Sequence, residues 1–145
     1  MKIGSLAAMG LIVLLSACST DDYVPLRNPE KGVQETEIDW AATADSMQRA
    51  TYDTYLGAEG TFVQDNQGNS TFHYWPNAHA LHVLVDAFER TGDGAYLSKM
   101  KSLVRGIKSR NGGSYRNVFN DDMLWLANAS MRAYNATQDV EYLEV

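Results

Sequence analysis

Cysteine is almost missing from this sequence: Cys18 is the only one, so no disulfide can close within the chain. Positive charge is also scarce, with 12 Lys and Arg against 18 Asp and Glu and a net charge of −6. There is no basic stripe, and an acidic surface repels phosphate backbones, which argues against a nucleic-acid partner. Long apolar runs are absent except near the start, where Ile3 to Leu15 is too short for a permanent membrane span. Asp65-Asn66-Gln67-Gly68 has the outline of a calcium loop but lacks the bidentate glutamate, so it reads as a turn. What is present, 145 residues of which 45% are hydrophobic, suits one ordinary domain with a core.

The apolar run has the marks of a targeting segment. Lys2 supplies a short positive start, and the run ends in Leu15-Ser16-Ala17-Cys18. That ending looks like the lipobox of bacterial lipoproteins, in which the cysteine is lipidated and becomes the mature N-terminus. Residues 1–17 are then a signal peptide, and Cys18 is an anchor to the membrane. Residues 18–38 read as a tether, because Pro25 and Pro29 break any helix and the composition is polar. Acidic residues directly after Cys18 resemble the surface-export signal of Bacteroidetes lipoproteins. The expected address is the bacterial cell envelope, lipid-anchored at the outer membrane and facing outward.

Residues 39–145 carry helical periodicity throughout, with no strand pattern. A first helix is expected from about Asp39 to Leu56, with Trp40, Ala44, Met47, Thr51 and Tyr55 as its stripe and Asp39 as its cap. A surface loop follows to Phe72. The second helix spans about Pro76 to Thr91, is apolar on most sides and stops at Gly92. The third, about Tyr96 to Ser109, has one apolar stripe and a Lys/Arg face, which marks an outer helix with one wet side. The fourth starts at Asp121-Asp122 and runs to about Thr137, and a fifth helix opens at Tyr142-Leu143.

An internal repeat organises these elements. The segment from Ala87 to Leu97 lies over Ala133 to Leu143 at an offset of 46 residues, with Ala, Thr, Asp, Tyr and Leu coinciding. Repeats of this length read as stacked helical hairpins. The same offset lays Trp75-Pro76 over Asp121-Asp122, so two inner helices are expected to start at one end, one bringing aromatics and the other carboxylates. A lone Asp at a helix start caps first-turn amides. Two side by side repel and raise one another's pKa, and that is the condition under which one carboxyl attacks a sugar while its neighbour donates a proton. A retaining glycosidase needs such a pair about 5–5.5 Å apart, and adjacent residues reach that separation where the backbone turns into a helix. This chemistry requires no metal and no cofactor.

Tyr74-Trp75-Pro76-Asn77-Ala78-His79-Ala80, followed by Asn120-Asp121-Asp122-Met123-Leu124-Trp125, resembles glycoside hydrolase family 76, the endo-α-1,6-mannanases. The resemblance covers the chain from about residue 40 onward. It implies an all-α (α/α)6 barrel of inner and outer helices, cleavage of α-1,6-linked mannan with retention, Asp121 as nucleophile and Asp122 as general acid/base. A barrel of that kind has twelve helices, so the chain is expected to be its N-terminal portion, 39–145, truncated and inactive when isolated. Trp75, Trp125 and Tyr74 are candidate sugar-stacking platforms, with core packing the alternative for Trp125. Asn120, Asn77 and His79 are candidate partners for sugar hydroxyls, with capping the alternative for both asparagines. His79, His82 and Asp86 share one helical stripe, which reads as a hydrogen-bonded seam between helices more readily than as a metal site. The other functional reading is a helical-repeat, glycan-binding surface lipoprotein without catalysis.

Overall fold

Four helices and two short 3₁₀ turns make up the structure, a computed structural model that describes residues 37–145. The expected signal peptide, the expected lipidation at Cys18 and the expected tether up to residue 36 lie outside the described residues. Among those residues no helix is long and apolar enough to cross a membrane.

α1 runs from Trp40 to Tyr55, and the Asp39 carboxylate caps it by accepting from the Ala42 amide at 2.9 Å. α2 spans Tyr74–Thr91 and ends at Gly92, whose φ of 66° closes the helix in the left-handed region. α3 covers Ala95–Arg110 and α4 Asn120–Thr137. The most extensive packing joins α2 to α4, and α3 lies on α2. Leu81, Val85, Met100, Leu103, Val104, Ile107 and Leu126 are fully buried, together with Ala78, Ala129 and Ala133, whose small side chains let α2 and α4 approach closely. Each buried Leu or Ile contributes about 1.5–3 kcal/mol by leaving water. This all-α arrangement of inner and outer helices is that of an (α/α) barrel segment.

The repeat is visible as duplicated hydrogen bonds. Thr91 Oγ1 donates to Ala87 O at 2.7 Å, and Thr137 Oγ1 donates to Ala133 O at the same distance. Asp93 Oδ1 accepts from the Ala95 amide at 2.8 Å, and Asp139 Oδ1 accepts from the Glu141 amide at 3.1 Å. Tyr96 and Tyr142 are both buried. The first copy continues as α3, and the second opens in the 3₁₀ turn Val140–Glu144, at the place where the fifth helix is expected to open. The acidic residues of this turn are tied to α3: Asp139 pairs with Lys101, and Glu141 takes the Arg105 guanidinium at 2.5 and 2.7 Å.

α1 buries no residue. Trp40 and Met47 are 71% and 67% exposed. Ala44, Met47, Thr51 and Tyr55 do share a face, but it lines a groove of about 550 Å³ against Pro76, Ala80, Val83 and Ala87 of α2. Those opposing residues are too small to fill the gap. Contact runs through the polar edge: Arg90 to Asp45 at 2.5 Å, Gln48 Nε2 to Val83 O at 3.2 Å, and Lys99 over the Tyr52 ring at 4.1 Å. Close approach is instead found between α3 and the 3₁₀ turn Ala58–Gly60. A Cβ on Gly106 would stand 2.1 Å from the Glu59 carbonyl oxygen, so only glycine lets the two backbones touch there.

Candidate active site

α2 and α4 begin at the same end and border one hollow of about 510 Å³, lined among others by Tyr74, Trp75, Asn117, Phe119, Asp121 and Asp122. The aromatics and the carboxylate pair therefore share a mouth. Neither aspartate serves as the N-cap of α4. That position is Phe119, without any side-chain cap bond, and Asp121 and Asp122 sit inside the first turn. Capping accordingly does not account for the pair.

The two carboxyls live in different surroundings. Asp121 is exposed, while Asp122 is 7% exposed and is the only buried acidic residue among the described residues. Burial pushes the Asp122 carboxyl above its ordinary value, and the neighbouring Asp121 pushes it further in the same direction. The partial positive charge of the helix N-terminus opposes this desolvation penalty at Asp122. One contact reaches the buried group: Asn117 Nδ2 donates to Asp122 Oδ2 at 3.2 Å. The arrangement sets an exposed carboxyl and a buried one, whose pKa is raised, side by side at an open hollow.

The other candidates divide into two groups. Trp75 is 54% exposed at the rim. Trp125 is exposed too, with its ring centroid 4.5 Å from that of His79, which meets Trp75 edge-on at 5.7 Å. Asn120 is exposed as the first residue of α4. Tyr74 and Asn77, by contrast, are buried and bonded within the protein. Tyr74 is buried and its hydroxyl donates to Tyr115 O at 2.7 Å; burial first, then Asp122, raises its pKa to about 12. Asn77 is 1% exposed, with Oδ1 accepting from the Phe62 amide at 2.7 Å and Nδ2 donating to Phe62 O at 3.2 Å and His73 O at 2.8 Å. Both of its amide hydrogens are used within the protein.

The His79, His82 and Asp86 stripe belongs to a seam between α2 and α4. Arg132 binds Asp86 at 2.6 Å and Glu89 at 2.8 Å, and its Nη1 lies 3.4 Å from His82 Nδ1. Burial, then Arg132 and His79, lower the His82 pKa. Among the described residues no group of His, Cys, Asp and Glu is arranged to hold a metal ion. The sequence reading passed over Asn117, Phe119 and Arg132. Of these, Asn117 carried a signal, since an Asn two residues before a helix N-cap is suited to an Asx turn.

With this geometry, comparison with known proteins becomes informative. The profile described as glycosyl hydrolase family 76 matches residues 39–145. The structure of the GH76A alpha-1,6-mannanase from Salegentibacter sp. HEL1_6 is 56% identical with a TM-score of 0.72, covering 73% of this chain and 31% of that one. A variant of that enzyme described as inactive, with two consecutive aspartates changed to asparagine and alpha-1,6-mannotriose bound, gives 54% identity and a TM-score of 0.72 over 73% and 31%. The Lin0763 protein from Listeria innocua is 34% identical with a TM-score of 0.64, over 74% and 33%. No curated protein matches. The chain spans about a third of the length of the structures it resembles. A profile match over the whole helical region, with more than half of the aligned residues identical to a solved relative, means that the chain belongs to glycosyl hydrolase family 76.

Proposed function

We propose that the complete protein hydrolyses α-1,6-mannosidic bonds in mannan with retention, and that Asp121 and Asp122 perform the chemistry. The observation that carries this reading is the unequal pair, Asp121 open to solvent and Asp122 buried beside it in the same hollow as Trp75. The Asp121 carboxylate attacks the anomeric carbon while Asp122 gives its proton to the departing glycosidic oxygen, leaving a mannosyl ester on Asp121. Asp122, now ionised, takes a proton from the water that cleaves the ester. The rise in the Asp122 pKa supports its role as the acid. The relative's variants support the pairing, because they change two consecutive aspartates, and Asp121-Asp122 is the only such pair between residues 39 and 145. Trp75 at the rim of the hollow, His79 against it, Trp125 against His79 and Asn120 beside Asp121 are the candidates for holding the sugar.

The test is hydrolysis of linear α-1,6-mannan by the complete protein, with the product anomer followed by proton NMR. The α-anomer is expected first, and Asp121→Asn or Asp122→Asn should abolish turnover. Either variant retaining turnover within a few-fold of wild type would overturn the roles assigned. Binding of mannan with no release of reducing ends would favour a glycan-binding protein instead. The proposed address, a lipid on Cys18 holding the protein at the outer membrane and facing outward, predicts fatty-acid labelling that Cys18→Ala removes.

A further inference from the structure

Asp122 receives one hydrogen bond, and the geometry of its donor has a consequence for the proton. Asn117 lies in the loop between α3 and α4, and its Oδ1 accepts from the Phe119 amide at 3.1 Å, closing a turn directly before the helix. That bond dictates which way round the side-chain amide sits. Flipped, it would set its NH2 against the Phe119 N–H, a repulsive contact in place of a bond. The loop is itself held. Asn111 Nδ2 donates to Ser114 O at 2.7 Å and Arg116 O at 2.8 Å, and the Tyr74 hydroxyl reaches Tyr115 O at 2.7 Å.

We propose that Asn117 is the positioning residue for the acid: its N–H fixes Asp122 Oδ2 as an accepting oxygen, so the transferable proton rides on Oδ1. An oxygen that accepts from an amide N–H is the poorer place for a proton, and Asp122 has only two. The inference rests on Asp122 being the general acid/base. The groups facing Asp122 are Asp121 on its own helix, Tyr74 on α2, and Asn117 from the loop, with His73 lining the same hollow. Asp121 and burial both disfavour the ionised form, and the Asn117 N–H opposes them. Asn117 therefore also limits how far the carboxyl is pushed up, which keeps Asp122 able to act as a base in the second half of the reaction.

Asn117→Ser and Asn117→Ala in the complete protein separate this role from a purely structural one. Serine can still close the turn through its hydroxyl, but it is too short to reach Asp122. Both variants should lose at least about tenfold in kcat, with KM within a few-fold, because general acid–base action is what fails. The alkaline limb of kcat/KM should move to higher pH in both, and the Asp122 carboxyl should titrate higher by carbon-13 NMR of aspartate-labelled protein. A serine variant with wild-type rate and profile, and an Asp122 titration unmoved in both variants, would overturn the proposal. The titration can be followed without turnover, so an inactive parent protein would sink the mannanase reading while the NMR still decides on Asn117. Melting temperatures close to that of wild type confirm that the variants are folded.

Discussion

At the start of α2 the polar groups are engaged within the protein: Asn77 is clamped on three backbone groups and the Tyr74 hydroxyl is held by Tyr115. At the start of α4, one repeat later, stand two carboxylates of which one oxygen receives an N–H, from Asn117. Both turns border the same hollow. Full satisfaction of buried polar groups makes the first a rigid wall, and incomplete satisfaction makes the second a place where charge and protons can move. The comparison teaches that neighbouring motifs in one mouth divide the work, one giving shape and the other chemistry.

This division can be tested from its strongest consequence downward. In the complete protein, Asp121→Asn and Asp122→Asn should each lower kcat/KM by about a thousandfold or more, equivalent to ~4 kcal/mol in the barrier, with a native circular dichroism spectrum. Asn77→Ala should do the reverse. Losing three bonds at a buried site strands the Phe62 backbone and should cost about 2–4 kcal/mol in urea unfolding, with kcat little changed in whatever remains folded. Tyr74→Phe removes one hydroxyl and should cost about 1 kcal/mol by the same measurement.

The smallest effect has an informative sign. Folding raises the Asp122 pKa, so the native state holds that proton more tightly than the unfolded chain does. Its contribution to stability is therefore greatest at low pH and falls as pH rises through the ordinary carboxylate range toward the raised value. Asp122→Asn removes that slope and should raise Tm at neutral pH by no more than a few degrees, whereas Asn77→Ala lowers it at every pH. A melting temperature that fell for Asp122→Asn would place that carboxyl among the supports of the fold.

Much of the fold was legible because inner helices must be apolar on most sides, and α2 and α4 carry that pattern in plain view. Gly92 and the duplicated Ala-Thr-Asp-Tyr-Leu spacing located the turns. What escaped depended on partners distant in sequence. The α1 stripe recurs at helical spacing, but whether it meets a filled core or a groove depends on what α2 sets opposite it, and it lines a groove. At the site, the carboxylates and Trp75 could be picked out because their chemistry is specific. The burial of Tyr74 and Asn77 was not legible, because an aromatic and an amide serve a wall as readily as a sugar, and the phase of the helix decides. Asn117 acquires its meaning from the turn that points it at Asp122.

The Asn77 clamp also bears on how this protein can change. It fixes the near end of the loop between α1 and α2 at Phe62, and Arg110 holds the far end, donating to Ser70 O at 3.2 Å and lying 5.8 Å over the Phe72 ring. Between the two fastenings, Asp65 forms its own turn with the amides of Gln67 and Asn69, and residues 66–71 are exposed. A segment secured at both ends and self-contained in the middle is a cassette. Its tip can lengthen, shorten or change composition while the first turn of α2 stays where it is, so descendants of this sequence are free to rewrite the tip without disturbing the carboxylates next door.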